Sequence, residues 1–147
     1  MFGSYRTLRR FFFDWLPLFL WMGWIYWISA RPATPHPGHK LGVSDDLFDY
    51  SAHAFTFGLL TILVWRALRK RPNAASTASL HAIWLSAIIA ALYAVSDEVH
   101  QSFVPGRWAK VEDWLADMAG VLLASILLLA WQRWGIWLVP HGRDTHV

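Results

Sequence analysis

The sequence predicts an all-α fold: a polytopic membrane protein built as a bundle of four transmembrane helices, with both termini in the cytoplasm. Three observations predict it. Hydrophobic residues make up 56% of the 147 and charged residues 16%, where a soluble domain runs at about half and about a quarter. Four apolar stretches come close to the roughly 20 residues that a helix needs to cross the hydrocarbon core. Of the 11 tryptophans, Trp15, Trp65, Trp84, Trp108, Trp114, Trp131 and Trp134 fall near the ends of those stretches, where a ring with one polar N–H suits a membrane interface. A mean hydropathy of +0.32 understates this character, because that scale counts Trp as mildly polar.

The predicted spans are 11–30, 47–68, 80–98 and 112–134, within a single domain of residues 1–147. The first is interrupted only by Asp14 and Pro17, both near its start. Arg9 and Arg10 before it and Ser29-Ala30 at its end also fit a cleaved leader, but the stretch is longer and richer in Trp than a normal signal core. The second carries Asp49 and His53 in its opening turns and Arg66 near its end. Pro32 to Gly38 reads as an extended outer loop, and Arg71 to Thr77 as a polar turn. From 135 onward, Gly135, Pro140 and Gly142 predict an interfacial or disordered tail.

Basic residues favour the cytoplasmic side of a membrane. Arg6, Arg9, Arg10, Arg66, Arg69, Lys70, Arg71, Arg133 and Arg143, nine of the 13, fall at the N-terminus, in the second loop and in the tail. Arg31, Lys40, Arg107 and Lys110 are left for the first and third loops, which therefore face outward. Eight of the ten acids, Asp45, Asp46, Asp49, Asp97, Glu98, Glu112, Asp113 and Asp117, lie in or beside those outer loops. The net charge of +3 is thus a topology signal rather than the basic stripe of a nucleic-acid binder. No cysteine is present, which excludes disulfides, thiolate metal sites and cysteine nucleophiles.

Charge inside a span is costly, about 2.5–3.5 kcal/mol at a helix centre, and needs a partner or a shallow position. Asp49 and His53 are four residues apart and share a face. Asp97, His100 and Gln101 share another if the third helix reaches that far. On the fourth, Asp113 and Asp117 are again one turn apart, with Gly120 and Ala124 extending the stripe in small residues that let a neighbouring helix approach closely. Two carboxylates at that spacing repel, which calls for a cation, water or a shared proton. Arg107 is the expected counter-charge. It follows Pro105-Gly106, a type II turn pair, and would fold back over Glu98 and Asp113.

The run Ser96-Asp97-Glu98-Val99-His100-Gln101-Ser102-Phe103-Val104-Pro105-Gly106-Arg107, followed by Asp113, Asp117 and Gly120, resembles the signature of the VanZ-like membrane proteins. The block Asp49-x-x-x-His53 is similar to that family's Asp-Lys-x-x-His motif at the start of the second span, and Ser29 closing the first span also fits. The resemblance covers roughly Trp15 to Trp131. Two positions depart: Tyr50 stands where the family usually has Lys, and Asp117 where Asn is common. The resemblance implies a bacterial cytoplasmic membrane protein with a link to low-level resistance to teicoplanin, a glycopeptide that binds cell-wall precursors outside the membrane.

Residue chemistry and resemblance together predict a polar site on the extracytoplasmic side that binds or acts on an anionic envelope lipid or cell-wall-related molecule. His53, Asp97, Glu98 and Asp113 are the candidate catalytic residues; Asp49, His100, Gln101, Arg107 and Asp117 are the candidate binding residues. Neither a Gly-x-Ser-x-Gly elbow nor a phosphatase-type pattern occurs, so no reaction class follows. No cofactor and no metal ligand set is expected, with a divalent ion as the minor alternative. Membrane lipids and a homo-oligomer are the expected partners, and nucleic acid is not. The competing readings are a proton or cation transport or sensing element and a purely structural polar cap.

Overall fold

A computed structural model describes residues 11–32, 44–69 and 76–135, together with Leu8 and Gly42, with side chains for 80–133 in the last segment. All regular structure among these residues is helical, and four helices are long and apolar enough to cross a membrane. A π-helical turn, Phe11–Trp15, runs into α1, Leu16–Ser29; α2 is Asp45–Leu68, α3 Ser76–Ser102 and α4 Val111–Gly135. The expected outer loop at Pro32–Gly38 and the tail beyond Gly135 lie largely outside the described residues. Helix α3 continues four residues past the predicted 98, to Ser102, so the condition for Asp97, His100 and Gln101 to share a face is met.

The start of α1 follows from Pro17. Proline is tolerated in a first helical turn but donates no N–H. In an α-helix, residue 17 would serve the carbonyl of residue 13. Here the Arg66 guanidinium, arriving from the end of α2, donates to the Phe13 carbonyl, and its Nε reaches an Asp14 oxygen at 3.3 Å. Asp14, one of the two interruptions of the first apolar stretch, thus has an ion pair, half-exposed at one rim of the bundle.

The start of α2 is capped by Ser44, whose hydroxyl accepts from the Leu47 N–H at 3.4 Å. Asp45 and Asp46 occupy its first turn, where negative charge is favoured by the helix dipole. Glu112 and Asp113 stand likewise in the first turn of α4. Arginine stacks on tryptophan near both rims: Arg31 lies 3.5 Å from the Trp27 ring centroid and Arg69 4.8 Å from that of Trp65, each keeping its charge at a helix end over an aromatic anchor.

The core contains Leu18, Ile25, Phe57, Leu60, Val64, Ala90, Ala94 and Val121, while Leu20, Leu92, Leu122, Leu123 and many other apolar side chains face outward. An apolar exterior is what lipid requires. The closest helix pair is α2 with α4, and glycine makes it so. A Cβ on Gly120 would sit 1.9 Å from the Ala54 carbonyl oxygen, and one on Gly58 3.2 Å from that of Gly120. The small-residue stripe of α4 thus receives α2, the use expected of it. On the other side, Tyr93 of α3 donates to the Met22 carbonyl of α1 at 2.8 Å, and Trp21 of α1 to the Thr56 carbonyl of α2 at 3.1 Å.

Candidate functional site

The end of α1, the start of α2, the end of α3 and the start of α4 meet at the rim opposite the Asp14–Arg66 pair. Because Gly120 brings α4 against Ala54, the preceding turn of α4 meets His53, the residue next to Ala54. His53 Nδ1 lies 2.9 Å from Asp117 Oδ1, and Nε2 4.0 Å from Asp113 Oδ2. Asp117 is 0% exposed and Asp113 8%. Which of the two atoms holds the hydrogen of this bond follows from the imidazole tautomer and the protonation of Asp117.

Glu98 enters from α3. One of its oxygens, Oε2, accepts from the Lys110 backbone N–H at 3.0 Å, fixing the α3–α4 loop to the end of α3. The loop turns at Val104–Arg107, where the Arg107 N–H donates to the Val104 carbonyl at 3.0 Å and Gly106 takes φ +78°. That is the type II geometry the Pro105-Gly106 pair predicts.

Asp97, although adjacent to Glu98, faces a different set of partners. Its Oδ1 accepts from the Ser29 hydroxyl at 2.6 Å and its Oδ2 from Gln101 Nε2 at 2.9 Å. Both oxygens are therefore engaged, and the three side chains pin α1 to α3. His100 packs on Tyr26 of α1, ring centroids 4.4 Å apart. Asp49 is half-buried one turn before His53.

The structure thus brings four of the nine expected site residues, His53, Glu98, Asp113 and Asp117, into one buried cluster, and places Asp97 and Gln101 beside it in a latch. Arg107 differs from expectation. It is half-exposed and forms no ion pair with Glu98 or Asp113 among the described residues. The group facing the two carboxylates of α4 is His53 of α2, because the close approach of the two helices at Gly120 places an imidazole there. Lys110, through its backbone, Tyr26 and the hydroxyl of Ser29 are contributors that residue spacing did not reveal. Ser29, at a helix end and facing an acid-rich rim, carried the only usable signal.

The hydrogen-bonding count is incomplete in a telling place. Glu98 Oε1, Asp113 Oδ1 and Asp117 Oδ2 are buried with no partner among protein atoms. One ligand atom each from His53, Glu98 and Asp117 lies within 4.8 Å of the others.

Residues 7–132 match the VanZ/LLP1 family, and that stretch contains α1 to α3, all but the last three residues of α4 and every residue of this cluster. The chain belongs to the VanZ/LLP1 family. It is, with its four apolar helices, a VanZ-like multi-pass membrane protein. No curated protein and no solved structure matches it. Of the two departures from the VanZ-like pattern, Tyr50 is exposed on α2, outside the buried cluster. Asp117 is at the cluster's centre, where an acid rather than an amide faces His53.

Proposed function

We propose that this VanZ-like protein lies in the bacterial cytoplasmic membrane, N- and C-termini inside, and that its extracytoplasmic rim binds the head group of an anionic envelope lipid or cell-wall-related molecule. The observation that carries this reading is the state of the α3–α4 loop. Arg107 and Lys110 make no side-chain ion pair among the described residues, although Glu98 is held to the same loop by the Lys110 N–H at 3.0 Å. Two cations at a membrane surface with no internal partner suit phosphate or carboxylate, which a guanidinium binds in a forked manner. Phe103 and Trp108 flank them at 80% and 81% exposure. Such apolar and amphipathic rings belong at the headgroup level.

Behind the loop, His53 and its carboxylates form a reserve able to take up or release a proton next to a bound head group. A cell-envelope role, with the glycopeptide-resistance link that the family resemblance implies, is part of the same proposal. The Ser29–Asp97–Gln101 latch, which engages both Asp97 oxygens, supports a structural role for that half of the site.

Native mass spectrometry of the chain released from phosphatidylglycerol nanodiscs tests the proposal. Bound anionic lipid is expected on the wild type and lost from the Arg107→Gln/Lys110→Gln variant, with thermal stability unchanged. Equal lipid retention by the two proteins would remove the loop as a head-group site.

A further inference from the structure

We infer that the rim also holds one divalent cation, coordinated by His53, Glu98 and Asp117, with Asp113 alongside. The inference goes beyond lipid recognition and rests on a different set of atoms.

Charge is the first argument. Glu98, Asp113 and Asp117 surround one imidazole, each at most 8% exposed, and no Lys or Arg side chain pairs with any of them among the described residues. Even a protonated His53 leaves three carboxylates facing a single positive charge. Buried charge without compensation is strongly unfavourable in a low-dielectric setting, and α3 and α4 bring these acids in from separate elements rather than one exposed turn.

Unpartnered atoms are the second argument. Each of the three carboxylates keeps one buried oxygen without a hydrogen-bond donor: Glu98 Oε1, Asp113 Oδ1 and Asp117 Oδ2. Buried polar atoms are almost always satisfied. A cation supplies what a carboxylate oxygen lacks, and it satisfies several at once.

Geometry is the third. The imidazole nitrogen and the two carboxylate oxygens lie within 4.8 Å of one another, and His53 Nδ1 and Asp117 Oδ1 are 2.9 Å apart. Ligands at about 2.1 Å from one ion are separated by at most about 4.2 Å. Side-chain rotations that draw the outermost atoms together by about 0.6 Å close the site. One imidazole with carboxylates is a borderline-to-hard donor set, suited to Mn2+ or Zn2+ rather than to Cu+ or an iron–sulfur cluster.

The test uses the full chain, purified in nanodiscs and titrated with Mn2+ alone, following the six-line electron paramagnetic resonance signal of the free ion. One Mn2+ per chain should bind and be displaced by Zn2+. Asp117→Asn and Glu98→Gln should weaken it at least about tenfold, the scale that even a supporting residue carries at a metal site. Asp46→Asn and Glu112→Gln, at exposed acids outside the cluster, should leave it in place. A wild-type chain that leaves both Mn2+ and Zn2+ free overturns the inference, and so does an Asp117→Asn protein that binds like wild type. The wild-type titration decides even where a variant fails to fold. Metal binding without Arg107-dependent lipid, or the reverse, shows which of the two readings has failed.

Discussion

His53 Nδ1 and Asp117 Oδ1 stand 2.9 Å apart, 64 residues distant in sequence, and tie the opening turns of α2 and α4 together through a side chain that is fully buried on the α4 side. Removing the imidazole alone strands a buried carboxylate. His53→Ala should therefore destabilise the bundle by about 3–5 kcal/mol, seen as a lowered Tm in detergent. Asp117→Asn, which keeps the shape and a hydrogen-bonding atom, should cost less. The double variant His53→Ala/Asp117→Ala should recover part of the loss, since contacting residues do not act additively. Additive effects would show that the two side chains do not interact.

Glycine substitutions should rank by what the added methyl meets. At Gly120 it would lie 1.9 Å from backbone at Ala54, at Gly58 3.2 Å from backbone at Gly120, and at Gly23 it meets nothing within 4 Å. Overpacking commonly costs about 1–3 kcal/mol, and unyielding backbone puts Gly120→Ala at or above the top of that range. Gly58→Ala should fall lower, and Gly23→Ala near neutral. Thermal unfolding of the three proteins in one detergent gives the order directly.

The opposite rim offers a contrast in strength. Arg66 reaches both Asp14 and the Phe13 carbonyl, so Arg66→Ala loses a charge-assisted hydrogen bond of about 1.5–3 kcal/mol as well as an ion pair. Asp14→Asn loses only the partly exposed pair, about 0–1 kcal/mol. Stability should fall clearly in the first variant and little in the second. Equal losses would mean that the carbonyl bond contributes nothing.

The latch between α1 and α3 is likewise testable. Ser29→Ala removes one of the two donors to Asp97 and should cost about 1–3 kcal/mol. Ser29→Thr retains the hydroxyl and should recover most of it. If Ser29→Ala and wild type melt together, the bond at 2.6 Å has no structural weight.

Much of this architecture is legible in the residues. The spans follow from apolar length, the acid-rich rim from its position between spans, the loop geometry from Pro105-Gly106, and the close helix approach from Gly120 and Ala124. Spacing of four residues says which side chains share a face; it does not say which faces meet. Asp113 and Asp117 were therefore visible as a repelling pair, while His53 as their neighbour was not. Arg107 looked like the counter-charge because it is near in sequence. The missing step is that a glycine one turn from an acid marks where the facing helix lies closest, and here that helix presents Ala54 with His53 beside it. Asp97 and Glu98 illustrate the same limit from the other side. Successive residues on a helix point about 100° apart, so one engages α1 and the other the start of α4. The π-helical turn before Pro17 depends on Arg66, 52 residues beyond Asp14, and no local pattern announces it.

The acid–imidazole rim should open to the outside of the cell, with the Arg107 loop at its mouth. The chain has no cysteine, so single cysteines can be placed without background. Phe103→Cys and Trp108→Cys should react with a membrane-impermeant maleimide in intact cells, whereas Leu68→Cys at the far end of α2 should react only after the membrane is opened. Labelling of Leu68→Cys from outside, with Phe103→Cys and Trp108→Cys protected until lysis, would put the rim on the cytoplasmic side instead.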